Sequence, residues 1–297
     1  MVAGNRAKDG ASDAALLASG AAFTDLSSWR LLAIGGSDAR TWLNDLVSAD
    51  ISGLAPGQAH QSLLLSPTGR IRAVFTAAVV EDTLLLIQDP EHPKAIAGLL
   101  SPYVLSSDVS LEDRTGGLSL FAFPGLDAAP DVAGGMPSAP SCLGTGVDVV
   151  APGPAHDRAL ATLQNLFTQV GGEVLESWRV TSGLPRFGVD VYEDDLPQEA
   201  GLAGAVSFDK GCYLGQEAVA KVRNLGHPRR VVIPMVARQP VSPGESIMSN
   251  GLEAGQVTSV AAGTNTWFVL ARVKWEARGD ELTTGGGALL QPRHSDG

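Results

Sequence analysis

From Arg230 onward the pattern of the sequence turns to strands, at residues 230–236, 245–249, 255–261 and 266–276, with short Gly-containing turns between them. Extended segments must pair their backbone N–H and C=O groups with a neighbour. Several in succession, joined by tight turns, predict a small all-β domain at this end of the chain.

The residues before Arg230 read differently. Trp29–Gly35 predicts a strand. Ser37 stands where a helix N-cap is expected, and Ala39, Trp42, Leu43, Leu46 and Val47 share one face, which predicts an amphipathic helix over 38–48. A meander follows: strand 62–66, a turn at Pro67-Thr68-Gly69-Arg70, strand 71–80, a turn at Glu81-Asp82, and strand 83–88. Pro90 and Pro93 open a helix to about Leu100, with strands at 103–112 and 118–123 beyond it. Residues 124–146, rich in Pro, Gly, Ala and Ser, read as a long loop. His156–Val170 reads as a helix with Leu160, Leu163, Leu166, Phe167 and Val170 towards a core. Residues 176–226 carry little simple periodicity and many Gly, Pro and charged residues, a composition typical of loops that carry function.

Length and charge narrow the classes of function. At 297 residues, two or three domains are expected if a domain averages ~100–200 residues. A formal net charge of −11 repels a phosphate backbone, so no nucleic-acid partner is expected. Cys142 and Cys212 alone make no disulfide scaffold, and two free thiols in a reducing compartment are expected. Arg6 and Lys8 precede the run Ala14–Ala18, which is shorter than the ~7–15 apolar residues of a signal peptide and follows Asp9 and Asp13. Residues 1–20 therefore read as a frayed, disordered tail. No apolar run approaches the ~18 residues of a membrane span. The expectation is a cytoplasmic protein without a membrane partner.

Several familiar chemistries are absent from the sequence. No Gly is followed by the Lys-Ser or Lys-Thr of a phosphate loop, no strand leads into G-x-G-x-x-G, and no G-x-S-x-G occurs. His60, His92, His156, His227 and His294 lack metal-ligand spacing, so no metal site is expected.

Three segments carry chemistry. In Asp209–Glu217, Cys212 lies two residues from Lys210 and between glycines. A nearby cation favours a thiolate, whereas a small cysteine in a Gly-rich turn is also a common buried residue. Glu199, in Leu196–Leu202, sits among small and apolar residues. It reads either as a carboxylate that accepts two N–H groups from an amidine-like edge or as an acidic residue at a helix N-terminus. Lys221, Arg223, His227, Arg229 and Arg230 form the most basic local segment, suited to an anionic ligand or to a solvated surface.

Lys210-Gly211-Cys212-Tyr213-Leu214-Gly215-Gln216-Glu217 resembles the K-G-C-F/Y-x-G-Q-E signature of the YgfZ-type folate-binding proteins, relatives of the glycine-cleavage T-protein. That pattern continues to an Arg four residues after the Glu. Here Lys221 stands there, keeping the charge and losing the planar fork. Glu176–Val180 through Gly183–Asp190 is similar to the E-x-x-R-x-x-x-G…G-x-D segment of the wider superfamily, and Leu196–Leu202 to its P-x-E-A-G-L segment. Ala39–Ile51 resembles its early helix, and Gly255–Ser259 its G-x-V-T-S turn.

The resemblance implies an α+β fold: a three-domain cloverleaf, GcvT/YgfZ-like, of two interleaved α+β domains and a C-terminal β-barrel. Its parts would be residues 21–228, with an inserted portion of about 55–150, and the barrel at 229–293. It implies tetrahydrofolate or a one-carbon derivative as cofactor, with Glu199 on the pterin and Arg179, Lys210, Tyr213, Gln216, Glu217, Lys221 and Arg223 around the ligand. It also implies a functional thiol at Cys212, and iron–sulfur client or assembly proteins as partners. The alternative within the same superfamily is a folate-dependent aminomethyltransferase. T-proteins place a catalytic Asp in the hairpin after the early strand. Here Ala73 and Val74 stand at the positions expected to be acidic, and no Asp or Glu occurs from Ile51 to Val80.

Overall fold

The computed structural model describes residues 14–131 and 136–293. Two compact units emerge. One is formed by Leu16–Gly171 with Gly204–Ala218, the other by Gly172–Ala203 with Val219–Gly297 and the first residues through Ala15. Among the described residues, no helix is long and apolar enough to cross a membrane.

The first unit holds two five-stranded sheets. Its elements run β1 (Ala22–Asp25), β2 (Arg30–Gly35), a helix Ala39–Asn44, β3 (Ala59–Leu65), β4 (Ile71–Val80), β5 (Thr83–Gln88), a helix Ile96–Leu100, β6 (Ser110–Asp113), β7 (Leu118–Phe123), β8 (Ser138–Pro140), β9 (Val147–Pro152), a helix His156–Gln164 and β10 (Thr168–Val170). One sheet has the order β3-β4-β5-β2-β6 and the other β10-β1-β7-β9-β8. In β4 and β5 the near-continuous apolar runs Ala77–Val80 and Leu84–Ile87 are buried, as strands covered on both faces require. Trp42 and Leu43 from the helix Ala39–Asn44 pack with Phe75 and Leu86, and the Trp42 indole N–H donates to the Tyr103 carbonyl at 3.0 Å.

Local expectations fail where a distant partner captures the chain. The helix Ala39–Asn44 stops short of 48, because Val47 bridges Leu64 and the Ser48 N–H donates to Leu63. Its N-cap is Asp38, while Ser37 bonds the Asp108 carboxylate through both N–H and hydroxyl. The helix expected over 156–170 ends at Gln164, since Thr168–Val170 pairs in parallel with Ala22–Thr24. Leu166 is accordingly 60% exposed instead of facing the core. The loop at 124–146 contains the edge strand β8, with residues 132–135 outside the described ones. Part of the segment expected to be a tail is ordered. Residues 14–18 are helical and Leu17 is fully buried, which ties that turn down; residues 1–13 lie outside the described ones.

In the second unit, the helix Gly172–Thr181 and the long turns to Ala203 precede a closed six-stranded barrel. The barrel comprises β11 (Arg230–Ala237), β12 (Ser246–Ser249), β13 (Leu252–Ala262), β14 (Trp267–Lys274), β15 (Leu282–Thr284) and β16 (Leu289–Pro292), in the order β11-β14-β13-β12-β15-β16. Met235, Ile247, Val257, Val269 and Val273 fill its interior. On its outer face Val180 of the helix packs with Val232, Ala261 and Leu270. The helix Gln216–Leu225 begins in the first unit and continues in the second.

Candidate functional site

The segment 176–202 lacks periodicity because polar side chains hold it. Arg179 is 8% exposed. Its Nε and Nη2 fork on the Glu176 carboxylate at 2.9 and 2.5 Å. Nη1 reaches Asp190 at 2.6 Å and the Leu184 carbonyl at 2.8 Å, and Nη2 also reaches the Ser259 hydroxyl at 2.7 Å. Every N–H of the guanidinium is thereby engaged. Arg179, expected beside the ligand, is a structural hub with no donor left for one.

Asp190 is fully buried, and its carboxylate is as completely used. It accepts from Arg179, from the Arg186 N–H at 2.9 Å, and from the Thr258 and Ser259 hydroxyls at 2.5 and 2.7 Å. Consecutive residues of a regular strand point to opposite faces. Here the β13 register shifts between Val257 and Ser259 against β14, and that bulge lets both hydroxyls reach one carboxylate.

Glu199 lies in a turn, not at a helix N-terminus, and is 6% exposed. Its carboxylate accepts the Leu196 N–H at 3.0 Å, and its carbonyl accepts the Val232 N–H at 2.9 Å from β11. Gly201 makes this docking possible. Its φ is +72°, and a Cβ there would stand 2.9 Å from the Val232 carbonyl. Beside Glu199, the Gln198 amide donates to the Val219 carbonyl at 3.1 Å, while its buried Oε1 has no hydrogen-bond partner among the described residues.

The octapeptide lies in the first unit through Ala218. Lys210 donates to the carbonyls of Asn44, Val47 and Ala49 at 2.6, 2.8 and 2.7 Å. Those three bonds use all the ammonium donors. Burial pushes Lys210 down to about 8, against the opposing pull of Asp50 and Asp45. The cation expected to face a ligand and favour a Cys212 thiolate instead holds the loop to the 44–49 segment. Gly215 lies against another turn. Its φ is +83°, and a Cβ would stand 2.4 Å from the Ser66 carbonyl, so the close approach is to the β3–β4 turn. A Cβ at Gly211 would meet nothing within 4 Å among the described residues beyond its chain neighbours.

Cys212 is free and exposed in this loop. Tyr213 is buried, its hydroxyl has no hydrogen-bond partner among the described residues, and burial pushes its pKa up. Gln216, half-buried, opens the following helix, and Glu217 is exposed on it. Lys221 and Arg223 are exposed further along that helix. His227, Arg229 and Arg230 line a groove of about 630 Å³ on the barrel, with Arg272 and Lys274. The second unit thus groups Glu199 with Gln198, and the first groups Cys212 with Lys210 and Tyr213.

Sequence reasoning missed Asp195 and Arg272. Asp195 is buried, and Arg272 forks on it at 2.6 Å through Nη1 and by a second, shorter bond through Nη2. One signal was present: Arg272 is a lone charge inside the apolar run Phe268–Val273, where an ion needs a partner.

Within the second unit, the buried Gln198 Oε1, without a hydrogen-bond partner among the described residues, and the buried Glu199 carboxylate beside it fit a ligand rich in hydrogen-bonding edges, such as a pterin. Residues 7–132 match the GCVT N-terminal domain family. A chloroplastic protein of Arabidopsis thaliana with a provisional transferase name is 25% identical over 296 residues, covering 90% of this chain and 68% of its own. An aminomethyltransferase of Herpetosiphon aurantiacus is 26% identical over 285 residues, 85% of this chain and 79% of its own. The crystal structure of the glycine cleavage system aminomethyltransferase T from Bartonella henselae superposes with a TM-score of 0.80 over 96% of this chain and 88% of that one, at 21% identity. The chain therefore has the α+β fold of that aminomethyltransferase, matches the GCVT N-terminal domain over residues 7–132, and resembles aminomethyltransferases over most of its length.

Proposed function

We propose that this protein binds tetrahydrofolate or a one-carbon derivative and uses it, with the Cys212 thiol, to support iron–sulfur cluster assembly or repair. The observation that carries the reading is the segment Lys210–Glu217. It resembles the YgfZ-type signature, and it presents a free, exposed thiol at Cys212, followed in sequence by Tyr213, whose buried hydroxyl has no hydrogen-bond partner among the described residues.

Folate, when bound, supplies a carrier for a one-carbon unit. The residues of this chain orient it. The Glu199 carboxylate receives the N–H edge of the pterin, and the Gln198 Oε1 accepts a further donor. The Tyr213 hydroxyl, in the other unit, has no hydrogen-bond partner among the described residues. Lys221, Arg223, Arg229 and Arg230 supply positive charge for an anionic tail. Lys210 and Arg179 take part by holding the loops.

Aminomethyl transfer is the second reading, favoured by the names of several relatives. It needs an acid beside the folate to handle charge and protons. The β3–β4 hairpin has none: Ala73, at an expected acidic position, is fully buried, and the chain has no Asp or Glu from Ile51 to Val80.

Calorimetric titration with tetrahydrofolate of the wild type, Glu199→Ala and Cys212→Ser separates ligand binding from thiol chemistry. Glu199→Ala should lose about tenfold or more in affinity, and Cys212→Ser should bind like the wild type. In a strain lacking the protein, Cys212→Ser should fail to restore iron–sulfur enzyme activity. Full complementation by Cys212→Ser, or folate-dependent ammonia release from an aminomethyl-lipoyl carrier, would reject the reading.

A further inference from the structure

The turn that carries Glu199 is held by a residue the folate reading does not use. The Arg272 guanidinium, on β14, is 13% exposed and forks on the Asp195 carboxylate, which is 5% exposed. Its Nη1 also donates to the Asp190 carbonyl at 3.2 Å. The Tyr192 ring lies 5.3 Å from the guanidinium carbon, and the Tyr192 N–H donates to Asp195 at 2.9 Å. Arg272 therefore closes the 190–195 turn from three directions.

Leu196 leaves that turn, and its N–H bonds the Glu199 carboxylate. The Glu199 carbonyl then accepts from Val232, the residue that pairs with Arg272 across β11 and β14. Both ends of the 190–199 segment are thus pinned to one register position of the barrel, the first through the Arg272 side chain and the second through the Val232 backbone. The Glu199 charge is among those that hold the Arg272 pKa up, after its bond to Asp195.

We propose that Arg272 is a positioning residue: pinned to Asp195 and to the Asp190 carbonyl, it fixes the 190–199 segment so that the Glu199 carboxylate is aimed at the N–H edge of its ligand. The proposal rests on the reading that Glu199 receives folate. A guanidinium suits the task because its planar fork fixes the angle as well as the distance of a carboxylate.

A double-mutant cycle on the purified full chain tests it, with tetrahydrofolate affinity read by calorimetry and stability by thermal melting. Glu199→Gln and Arg272→Met should each weaken binding about tenfold. The double variant should bind nearly as well as Glu199→Gln alone, because residues that act as a unit are not additive. Asp195→Asn should reproduce Arg272→Met, and Arg272→Lys, which keeps the charge without the fork, should restore only part of the affinity. If Arg272→Met unfolds the chain, Arg272→Gln, which retains donors for Asp195, takes its place in the cycle. Wild-type affinity in the Arg272 variant, or losses that add in the double variant, would overturn the proposal while leaving the folate reading intact. Wild-type affinity in Glu199→Gln would remove the folate reading and this inference together.

Discussion

Arg179 and Asp190 meet at 2.6 Å in the interior of the second unit, 11 residues apart in sequence, with Ser259 of the barrel bonded to both. The pair ties the helix Gly172–Thr181, the turn at 186–190 and strand β13 to one point.

Breaking that pair should cost far more than its surface area suggests. Arg179→Met leaves the fully buried Asp190 charge with only neutral donors. Loss of one partner from a buried ion pair typically costs ~3–5 kcal/mol. Chemical denaturation should show a loss of that order, and Ser259→Ala, which removes one neutral bond, should lose about 1 kcal/mol. Equal losses from the two would deny the ion pair its central place.

Lys210 offers a second test. Lys210→Met strands three carbonyls, those of Asn44, Val47 and Ala49, that now accept from its ammonium. A buried acceptor left without a partner costs about 1–3 kcal/mol. The variant should lose stability even without ligand, and amide exchange should quicken across 44–50 and 209–215. Wild-type stability coupled with lost folate affinity would instead make Lys210 a ligand-binding residue.

These residues also show what could be read from the sequence. Strands β4, β5, β7 and β11–β14 were legible because pairing leaves its mark within a few residues. β15 and β16 escaped, at three and four residues each, being too short to show a pattern. Lys210 was read against its neighbour Cys212, yet its acceptors lie 161–166 residues earlier. Arg272 and Asp195 are 77 residues apart, and Arg179 and Ser259 are 80. Glu199 and Cys212 were singled out by local composition and by resemblance. The residues that hold them belong to contacts closed only by the folded chain.

A pH dependence follows from Asp148 in the first unit. It is 1% exposed, and burial pushes its carboxyl up to about 6, against hydrogen bonds from the Cys142 N–H and the Ser141 hydroxyl. In the unfolded chain it titrates near 3.9. Between those values the folded state binds more protons, so this group's contribution to stability falls as pH rises from about 4 to 6 and stays lost above. Asp148→Asn removes the titration. The stability of the wild type relative to this variant should fall by up to about 3 kcal/mol between pH 4 and 7. A constant difference across that range would place the carboxyl in its ordinary range.

The two cysteines should separate under alkylation. Cys212 is free and exposed in its loop. Cys142 belongs to a half-buried residue, and its thiol is pushed well up, first by burial and then by the adjacent Asp148 carboxylate. Thiolate is the reacting form, and access limits the rate. In the native protein at pH 7.5, a maleimide should label Cys212 first, by roughly tenfold or more in rate, with Cys142 following only as the fold opens. Mass spectrometry of peptides at increasing times gives both rates. Cys212→Ser should abolish the fast phase and leave the melting temperature nearly unchanged, because an exposed side chain contributes little packing. Equal labelling rates would mean that the 141–146 turn opens readily. A melting temperature lowered by Cys212→Ser would give the thiol a structural role, which its exposure in the Lys210–Glu217 loop argues against.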